Sequence, residues 1–419
     1  MIRIVSIALF LCYFSHQAFS ETISSITFEG LTKTKKEYLE RIIRCKVGEE
    51  FDPAILREDE KTIRSLNLFF NVESSYAKNE SEDAWDILFE LEEAKYLYPI
   101  LSISGFKGQF KLQAGFNQIN FRGHAESIGF LYQYYDRHSF SAFYNALRHK
   151  NGLTGHDIAA SKYSTVEPLY FEDTTAAFNF DNYNFSLGGH FWIKPKLRVG
   201  LGGMYMYEKY KQLDSTVFDL GKTEFFFHKY QIRSFFEYAN LDVNYERVFG
   251  FKNYTYLETI QTIDFPGISF IKFTNDIYWY KEIGNRGNFA IHNRFGISTN
   301  NMSPFSPFVL DGFLNVRGIG NRVSRGTAEL INNIEYRHTI WKHKWFYLQV
   351  AGLIDFGTLR QPGDDLASMF TYNEMQLFTG GGLRLHSRKI YNVVFRVDYS
   401  VNPMRPDQHG LTFGVGQFF

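Results

Sequence analysis

Cysteines are scarce in this chain: only Cys12 and Cys45 are present, and Cys12 lies within the first twenty residues. The single cysteine beyond that segment cannot form an internal disulfide, so a disulfide-stapled fold is excluded. The formal net charge of +0 argues against a nucleic-acid partner. After residue 20, no apolar run approaches the roughly 18 residues that a membrane-spanning helix needs, which excludes a helical membrane protein.

Enzyme motifs are also lacking. The sequence contains no His-Glu-x-x-His, no Gly-x-Ser-x-Gly and no phosphate-binding Gly-x-x-x-x-Gly-Lys. His338 and His343 are five residues apart in a charged segment, which is a poor metal-binding pattern. The glycine run 380–382 lies within an alternating stretch and is better explained by a strand that must bend. We therefore predict no catalytic residues, no metal and no cofactor.

The first twenty residues have the layout of a cleaved signal peptide. Arg3 gives a positive start and Ile4–Phe14 is apolar. In Ala18-Phe19-Ser20, the small residues Ala18 and Ser20 occupy the two positions that a signal peptidase recognises. The alternative, a helical anchor, would need about 20 apolar residues. We predict a signal peptide at residues 1–20 and export of the chain that follows.

Residues 21–95 differ in pattern from everything after them. Apolar residues recur there at helical spacing in two segments that are flanked by strands. The predicted elements are a strand at Ile23–Phe28, a helix capped within Thr32–Thr34, a helix that starts at Asp52-Pro53, and strands at Phe69–Tyr76 and Ala84–Glu92. This order predicts a small α+β domain.

Residues 96–419 alternate with period two, with aromatic and aliphatic residues on one face and polar, often charged residues on the other. The chain has 44 Phe, 27 Tyr and 5 Trp, yet its mean hydropathy is only −0.27. A transmembrane β-barrel accounts for both numbers, because its strands alternate lipid-facing and lumen-facing residues. At about 20 residues for a strand and its connection, the segment predicts about 16 antiparallel strands.

Parity along two late strands places two acids on the polar face. In one segment, Glu335 is on the face opposite to that of Leu330, Ile334 and Tyr336. In the next segment, Asp355 is on the face opposite to that of Ile354 and Phe356. Arg317 precedes them by about the length of a loop. A guanidinium that binds two carboxylates would fix such a loop inside the barrel through charge-assisted hydrogen bonds. Spacing alone leaves the alternative open, an ordinary loop arginine and two solvated acids.

Several motifs resemble the BamA/TamA superfamily of outer-membrane insertases and translocators. In the barrel segment they are Phe313 with Val316–Gly320, Arg325-Gly326, Asn333–Arg337, Ile354–Gly357 and Gly115–Gly123. In residues 21–95, the landmarks Phe28-Glu29-Gly30, Val47-Gly48-Glu49 and Leu66 with Phe69–Val72 resemble a POTRA domain. The resemblance covers nearly all of the chain after residue 20.

The resemblance implies roles for particular residues. Arg317, Gly318, Glu335 and Asp355 would form a loop clamp in the lumen. Gly414 and Gly416 would weaken a last strand that closes on the aromatic Phe419, at a seam with the first strand near Leu101–Gly105. The chain departs from the family at Ile319, where an aromatic residue is usual, and in having a single POTRA domain.

The resemblance also implies a location and partners. The barrel would lie in the bacterial outer membrane with the POTRA domain in the periplasm, where a sheet edge could bind unfolded outer-membrane or exported polypeptides. Outer-membrane lipid and periplasmic accessory proteins are further expected partners. Assembly or insertion of outer-membrane proteins is the predicted function. The alternatives are a two-partner-type secretion transporter, which passes an exoprotein through the lumen, and a passive porin.

Overall fold

The computed structural model describes residues 21–79, 84–106, 109–149, 152–171, 174–213, 224–244, 247–264, 269–301, 305–320, 324–388 and 393–419. The predicted signal peptide at residues 1–20 lies outside the described residues. The described part of the chain contains no helix that is long and apolar enough to cross a membrane.

The N-terminal domain is a three-stranded sheet covered by two helices. Its strands are β1 (Ile23–Glu29), β2 (Phe69–Asn79) and β3 (Ala84–Glu93), and its helices are α1 (Lys36–Ile42) and α2 (Pro53–Arg64). The strand order is β1-β3-β2, with β1 parallel and β2 antiparallel to β3. The outer edges of β1 and β2 are therefore the two edges of this sheet.

The helices begin differently from one another. α2 begins at Pro53 as predicted, and the Asp52 carboxylate accepts the Ala54 N–H at 2.7 Å. The prediction of a threonine cap for α1 is wrong, because Lys35 precedes this helix and makes no side-chain cap. Thr34 instead turns towards the barrel, where its hydroxyl accepts a hydrogen bond from the Asn120 amide at 2.9 Å.

The remaining strands form the predicted antiparallel barrel, and its sheet has sixteen strands. They are β4 (Leu97–Phe106), β5 (Gln109–Phe121), β6 (Glu126–Tyr135), β7 (Arg137–Ala146), β8 (Thr154–Phe171), β9 (Thr174–Lys194), β10 (Leu197–Gln212), β11 (Glu224–Asn244), β12 (Arg247–Thr262), β13 (Phe270–Ile283), β14 (Gly287–Ser298), β17 (Ala328–Lys342), β18 (Phe346–Arg360), β19 (Gln376–Ser387), β20 (Val394–Val401) and β21 (His409–Val415). Two short strands, β15 (Phe308–Leu310) and β16 (Ser324–Gly326), pair with each other in the connection between β14 and β17.

Charged side chains on the lumen wall are paired across neighbouring strands. Glu258 of β12 accepts from Arg233 of β11 at 2.7 Å and lies 2.5 Å from the ammonium of Lys272 on β13. The outer face of the same strands exposes large apolar residues such as Leu257 and Ile271. This division is the one that period-two alternation predicts for a barrel with a polar interior.

The N-terminal domain packs against one end of the barrel. The Lys35 N–H donates to the Gly123 carbonyl in the β5–β6 turn at 3.0 Å. Further along the rim, Arg64 pairs with Asp242 near the β11–β12 turn at 3.2 Å. Ala125, in the same β5–β6 turn, is part of the apolar core of the N-terminal domain. The domain and this rim, which we call the near end, are therefore joined by both polar and apolar contacts.

The barrel sheet has two free edges that face each other. Hydrogen-bonded pairing runs continuously from β4 to β21, but no ladder joins β21 to β4 in the described residues. Cα atoms of the two strands nevertheless approach within 8 Å. The barrel is thus almost closed, and in the described residues its seam lies between the first strand, β4, and the last, β21.

Candidate functional site in the barrel lumen

The connection between β14 and β17, which we call the arginine loop, folds into the lumen from the far end of the barrel, the end away from the N-terminal domain. Its residues Phe308, Leu310 and Val316 are buried in an apolar cluster on the lumen wall, and the wall contributes Ile331, Leu359 and Phe378. Burial of these side chains away from water favours the inward path of the loop. Arg317 follows Val316 directly and is carried to the lumen wall with it.

Arg317 contacts both acids that sequence parity placed on the polar face. Its Nε and Nη2 donate to the two oxygens of Asp355 at 2.7 and 2.8 Å, and its Nη1 donates to Glu335 at 2.5 Å. The three side chains are fully buried. The bidentate geometry at Asp355 uses the planar fork of a guanidinium, which the ammonium of lysine cannot reproduce.

The backbone around Arg317 is held as well. The Arg317 N–H donates to Asp355 at 3.0 Å, and the Ser400 hydroxyl donates to the Arg317 carbonyl at 2.7 Å. Gly318 has a φ of +89°, and a Cβ there would lie 2.3 Å from the Ser400 hydroxyl oxygen. A side chain at this position would therefore be both strained and obstructed.

Three residues complete the acid–arginine network that the loop enters. Arg337 donates to Glu335 at 2.7 Å, and Arg384 of β19 reaches Glu335 at 3.1 Å and Asp398 of β20 at 2.6 Å. Asp398 lies 3.7 Å from Arg317 and is therefore shared with the loop. Each carboxylate thus faces at least one arginine, which offsets the cost of burying its charge.

Sequence reasoning did not assign this role to Arg384 or to Asn333. Arg384 alternates with Leu383 and Leu385, so parity would have placed it in the lumen, but nothing in the sequence pointed to Glu335 as its partner. Asn333 donates to Asp355 and to the Asn315 carbonyl, both at 2.8 Å, and so joins the wall to the loop.

The last residues of the chain turn into the lumen and reach the same network. The prediction that the final strand runs to Phe419 is wrong, because β21 ends at Val415 and Gly416 adopts a φ of +101°. Gly414 stays in the strand opposite Arg396. The turn at Gly416 directs residues 417–419 inward, because glycine adopts this φ without strain.

Aromatic rings of this tail lie against arginines of the loop and the lumen wall. The Phe418 ring centroid lies 4.3 Å from the guanidinium carbon of Arg317. Phe419 lies beside Arg337, which donates to the Phe419 main-chain oxygen at 3.2 Å. A cation over an aromatic face is favourable, and more so where water is excluded. The tail thus links the seam strand β21 to the arginine loop.

A second ion pair anchors the arginine loop on the opposite wall. Arg325 pairs with Glu167 of β8, and its other amino group donates to the Ser306 carbonyl at 2.8 Å. Phe305, in the same loop, packs on a cluster at the far end of β8–β11 that includes Phe178, Tyr210 and Phe227. The loop therefore crosses the lumen and is held at both sides.

The arrangement holds a loop in place inside the barrel. No group of three or more His, Cys, Asp or Glu side chains in the described ranges could hold a metal ion. Within this network, the carboxylates of Glu335, Asp355 and Asp398 are each engaged by at least one arginine. This geometry fixes the arginine loop in the lumen. In the described residues, the seam strands β4 and β21 each have one edge that pairs with no other strand.

Comparison with known proteins agrees with both parts of this architecture. Residues 21–94 match the POTRA family, described as a surface antigen variable number repeat. No curated protein is significantly similar in sequence. Among solved structures, BamA from Haemophilus ducreyi lacking POTRA domains 1–3 is 14% identical, with a TM-score of 0.53 over 94% of this chain and 84% of that one.

Two CdiB structures share the fold at similarly low identity. CdiB from Escherichia coli is 13% identical with a TM-score of 0.65, over 94% of this chain and 76% of that one. CdiB from Acinetobacter baumannii is 11% identical with a TM-score of 0.62, over 94% of this chain and 73% of that one. At these identities the likeness concerns the fold.

Proposed function

We propose that this chain, BamA/TamA-like in joining a POTRA domain to a sixteen-stranded barrel, assembles or inserts outer-membrane proteins. The observation that carries the proposal is the seam. β4 and β21 lie side by side without a ladder in the described residues, so each has a strand edge that can pair with an incoming strand. Unpaired backbone groups cost several kcal/mol each in lipid, and pairing at a free edge removes that cost for the client.

The POTRA domain is the proposed site of client capture. The outer edge of β2 pairs with no other strand in the described residues, and an extended polypeptide can add to such an edge through main-chain hydrogen bonds. The clients are unfolded outer-membrane or exported polypeptides. In this proposal the barrel lies in the bacterial outer membrane, the POTRA domain is in the periplasm, and no reaction or cofactor is involved.

Secretion of an exported polypeptide through the lumen is the second candidate. It is favoured by a cavity of about 280 Å³ inside the barrel, whose lining includes Asp157, Gln231 and Arg233. The arginine loop lies across the path, however, and would have to leave both of its anchors. A passive porin would need neither a POTRA domain nor an anchored loop, and ranks third.

Depletion of the protein distinguishes the candidates. We expect general loss of folded barrels from the outer-membrane proteome, measured by quantitative mass spectrometry of purified membranes. Loss of one secreted protein, with the other barrels unchanged, would support the transporter instead. Restoration by the parent chain but not by the Arg317→Ala chain would tie the effect to the lumen network.

A further inference from the structure

The outer face of the barrel carries a polar patch in the middle of its apolar band. The patch, which we call the amide belt, crosses four adjacent strands. Its members are Asn253 and Thr255 on β12, Asn275 on β13, Asn293 on β14 and Asn332 on β17. All five side chains are half-buried. Because lipid-facing positions of a transmembrane strand are normally apolar, a polar patch there requires an explanation.

Neighbouring residues show that these side chains point outward. Asp276, next to Asn275, binds His292 and Arg294 on the lumen side, at 2.7 Å in each case. Asn333, next to Asn332, binds Asp355 in the lumen network. Since successive side chains of a strand point to opposite faces, Asn275 and Asn332 lie on the outer face.

The register of the strands makes the belt continuous. Thr255 is directly opposite Asn275, and Asn293 is directly opposite Asn332. Asn293 lies opposite Ile277, two positions along β13 from Asn275, which joins the two pairs diagonally. The outward neighbours above and below the belt are apolar: Phe251, Leu257, Phe273, Ile277, Ile291, Phe295, Leu330 and Ile334.

Hydrogen bonds divide the belt into two parts. Asn275 donates to the Thr255 hydroxyl at 2.8 Å, and that hydroxyl donates to Asn253 at 3.2 Å, so these three side chains partly satisfy one another. The directly opposed pair, Asn293 and Asn332, makes no such bond within the part of the chain that the structure describes. Two primary amides therefore face the bilayer with unused donors and acceptors, if the barrel spans a membrane as proposed.

We propose that the amide belt is the contact surface for a second copy of this chain. A primary amide is both donor and acceptor, so a patch of amides is complementary to itself. Around a twofold axis the same patch meets its own copy, which is the commonest symmetry of protein dimers. The belt has no charged member, so an ionic partner would have nothing to pair with. Amide contacts between membrane segments are favourable because hydrocarbon offers no alternative partner.

A dimer formed through the amide belt would leave the seam, the POTRA domain and the arginine loop of each copy outside the contact. Four strands, β18–β21, separate it from the seam on one side, and eight strands, β4–β11, separate it on the other. Both seams of the dimer would therefore face lipid away from the contact. Each copy keeps its own POTRA domain, arginine loop and seam.

Cysteine cross-linking in native membranes tests the proposal. Chains with Asn293→Cys or Asn332→Cys are oxidised with copper phenanthroline, and Leu187→Cys, on the exposed outer face of β9, is the matched control. The parent chain controls for the buried Cys45. We expect a reducible species at twice the mass of the mature chain from at least one belt position and none from the control. A monomer at both belt positions, equal cross-linking of the control, or adducts of another mass would overturn the proposal.

A second variant tests whether the amides of the belt stabilise the dimer, beyond lying close to each other in it. The double substitution Asn293→Leu with Asn332→Leu removes both unused amides and keeps the outer face apolar. We expect this variant to remain a heat-modifiable folded barrel and to run as a monomer on size-exclusion chromatography with light scattering, where the parent runs as a dimer. A variant that stays dimeric would contradict the proposal even if the cysteines cross-link.

Discussion

The guanidinium of Arg317 and the ring of Phe418 are stacked in the barrel lumen, 4.3 Å from guanidinium carbon to ring centroid. One residue belongs to the arginine loop, and the other follows the strand that forms the seam. A movement of β21 that withdraws the tail therefore uncovers the arginine. The seam and the loop are coupled by direct contact in this state of the molecule.

The first prediction concerns the arginine itself. Arg317→Ala leaves Glu335 and Asp355 buried with fewer partners, and breaking a buried ion pair of this kind costs about 3–5 kcal/mol. We expect the barrel to fold and reach the membrane, the loop to be cleaved faster by added protease, and complementation of a depleted strain to be impaired. Arg317→Lys keeps the positive charge but loses the planar guanidinium. Its loop cleavage and its complementation should lie between those of the parent and those of Arg317→Ala. A loop as resistant as the parent's would contradict the clamp.

Phe418→Ala tests the contribution of the tail. A cation–π contact contributes about 0.5–2 kcal/mol, so we expect a smaller rise in loop cleavage than for Arg317→Ala. Phe418→Tyr, which keeps the aromatic face, is the matched control and should behave like the parent. If cleavage is unchanged in Phe418→Ala, the tail does not hold the loop.

The POTRA domain should fold alone. We expect the fragment 21–95 to give the circular dichroism of an α+β domain and a cooperative thermal transition. It should be less stable than in the whole chain, because Ala125 of the barrel completes its core. The folded fragment should also bind unfolded outer-membrane proteins, with a folded barrel in detergent as the negative control. An unfolded fragment would disprove the boundary, and a folded one that binds no client would disprove direct capture.

The stability of this domain should depend on Glu93 at low pH. Its carboxylate accepts the N–H groups of Lys33 and Thr34 at 2.9 and 2.8 Å and also binds the Thr32 hydroxyl. Burial raises the pKa of Glu93, but these donors outweigh that effect and lower it from 4.5 to about 2. A lowered pKa in the folded state means that the contribution is complete above pH 4.5 and is lost as the pH falls through about 2.

Tyr96 also donates a side-chain hydrogen bond that lowers the pKa of Glu93, so urea unfolding is measured on a fragment that includes this residue. We expect Glu93→Gln to be less stable than the parent at pH 7 and the difference to shrink steadily below pH 4.5. Glu37→Gln, at an exposed position of α1, controls for the loss of one acidic group. A difference that stays constant down to pH 2 would show that Glu93 acts through packing rather than through its charge.

The sequence predicted the parts of the structure that depend on periodicity. Alternation placed Glu335 and Asp355 on the lumen side, and the length of the alternating segment gave the sixteen strands. It could not reveal the partners of Arg384, because these depend on which strands become neighbours. It also missed the inward turn after Val415, since only tertiary contacts of the tail determine the φ of Gly416.

Periodicity also concealed one feature. Asn293 and Asn332 occupy outward positions where the alternating pattern predicts apolar residues, and each looks like a single irregularity within its own strand. Their pairing appears only when the register of β14 and β17 is known. A patch that spans several strands cannot be recognised from any one of them.

Opening of the seam is the central claim, and a disulfide across it is the most direct test. One cysteine is placed in β4 and one in β21 at positions whose Cα atoms are less than about 7 Å apart, the upper limit for an unstrained bridge. A matched chain carries the β21 cysteine alone. We predict that the oxidised barrel remains folded in the membrane but fails to support outer-membrane protein assembly, and that a reductant restores assembly. Normal assembly by the fully oxidised chain would contradict lateral opening and favour transport through the lumen.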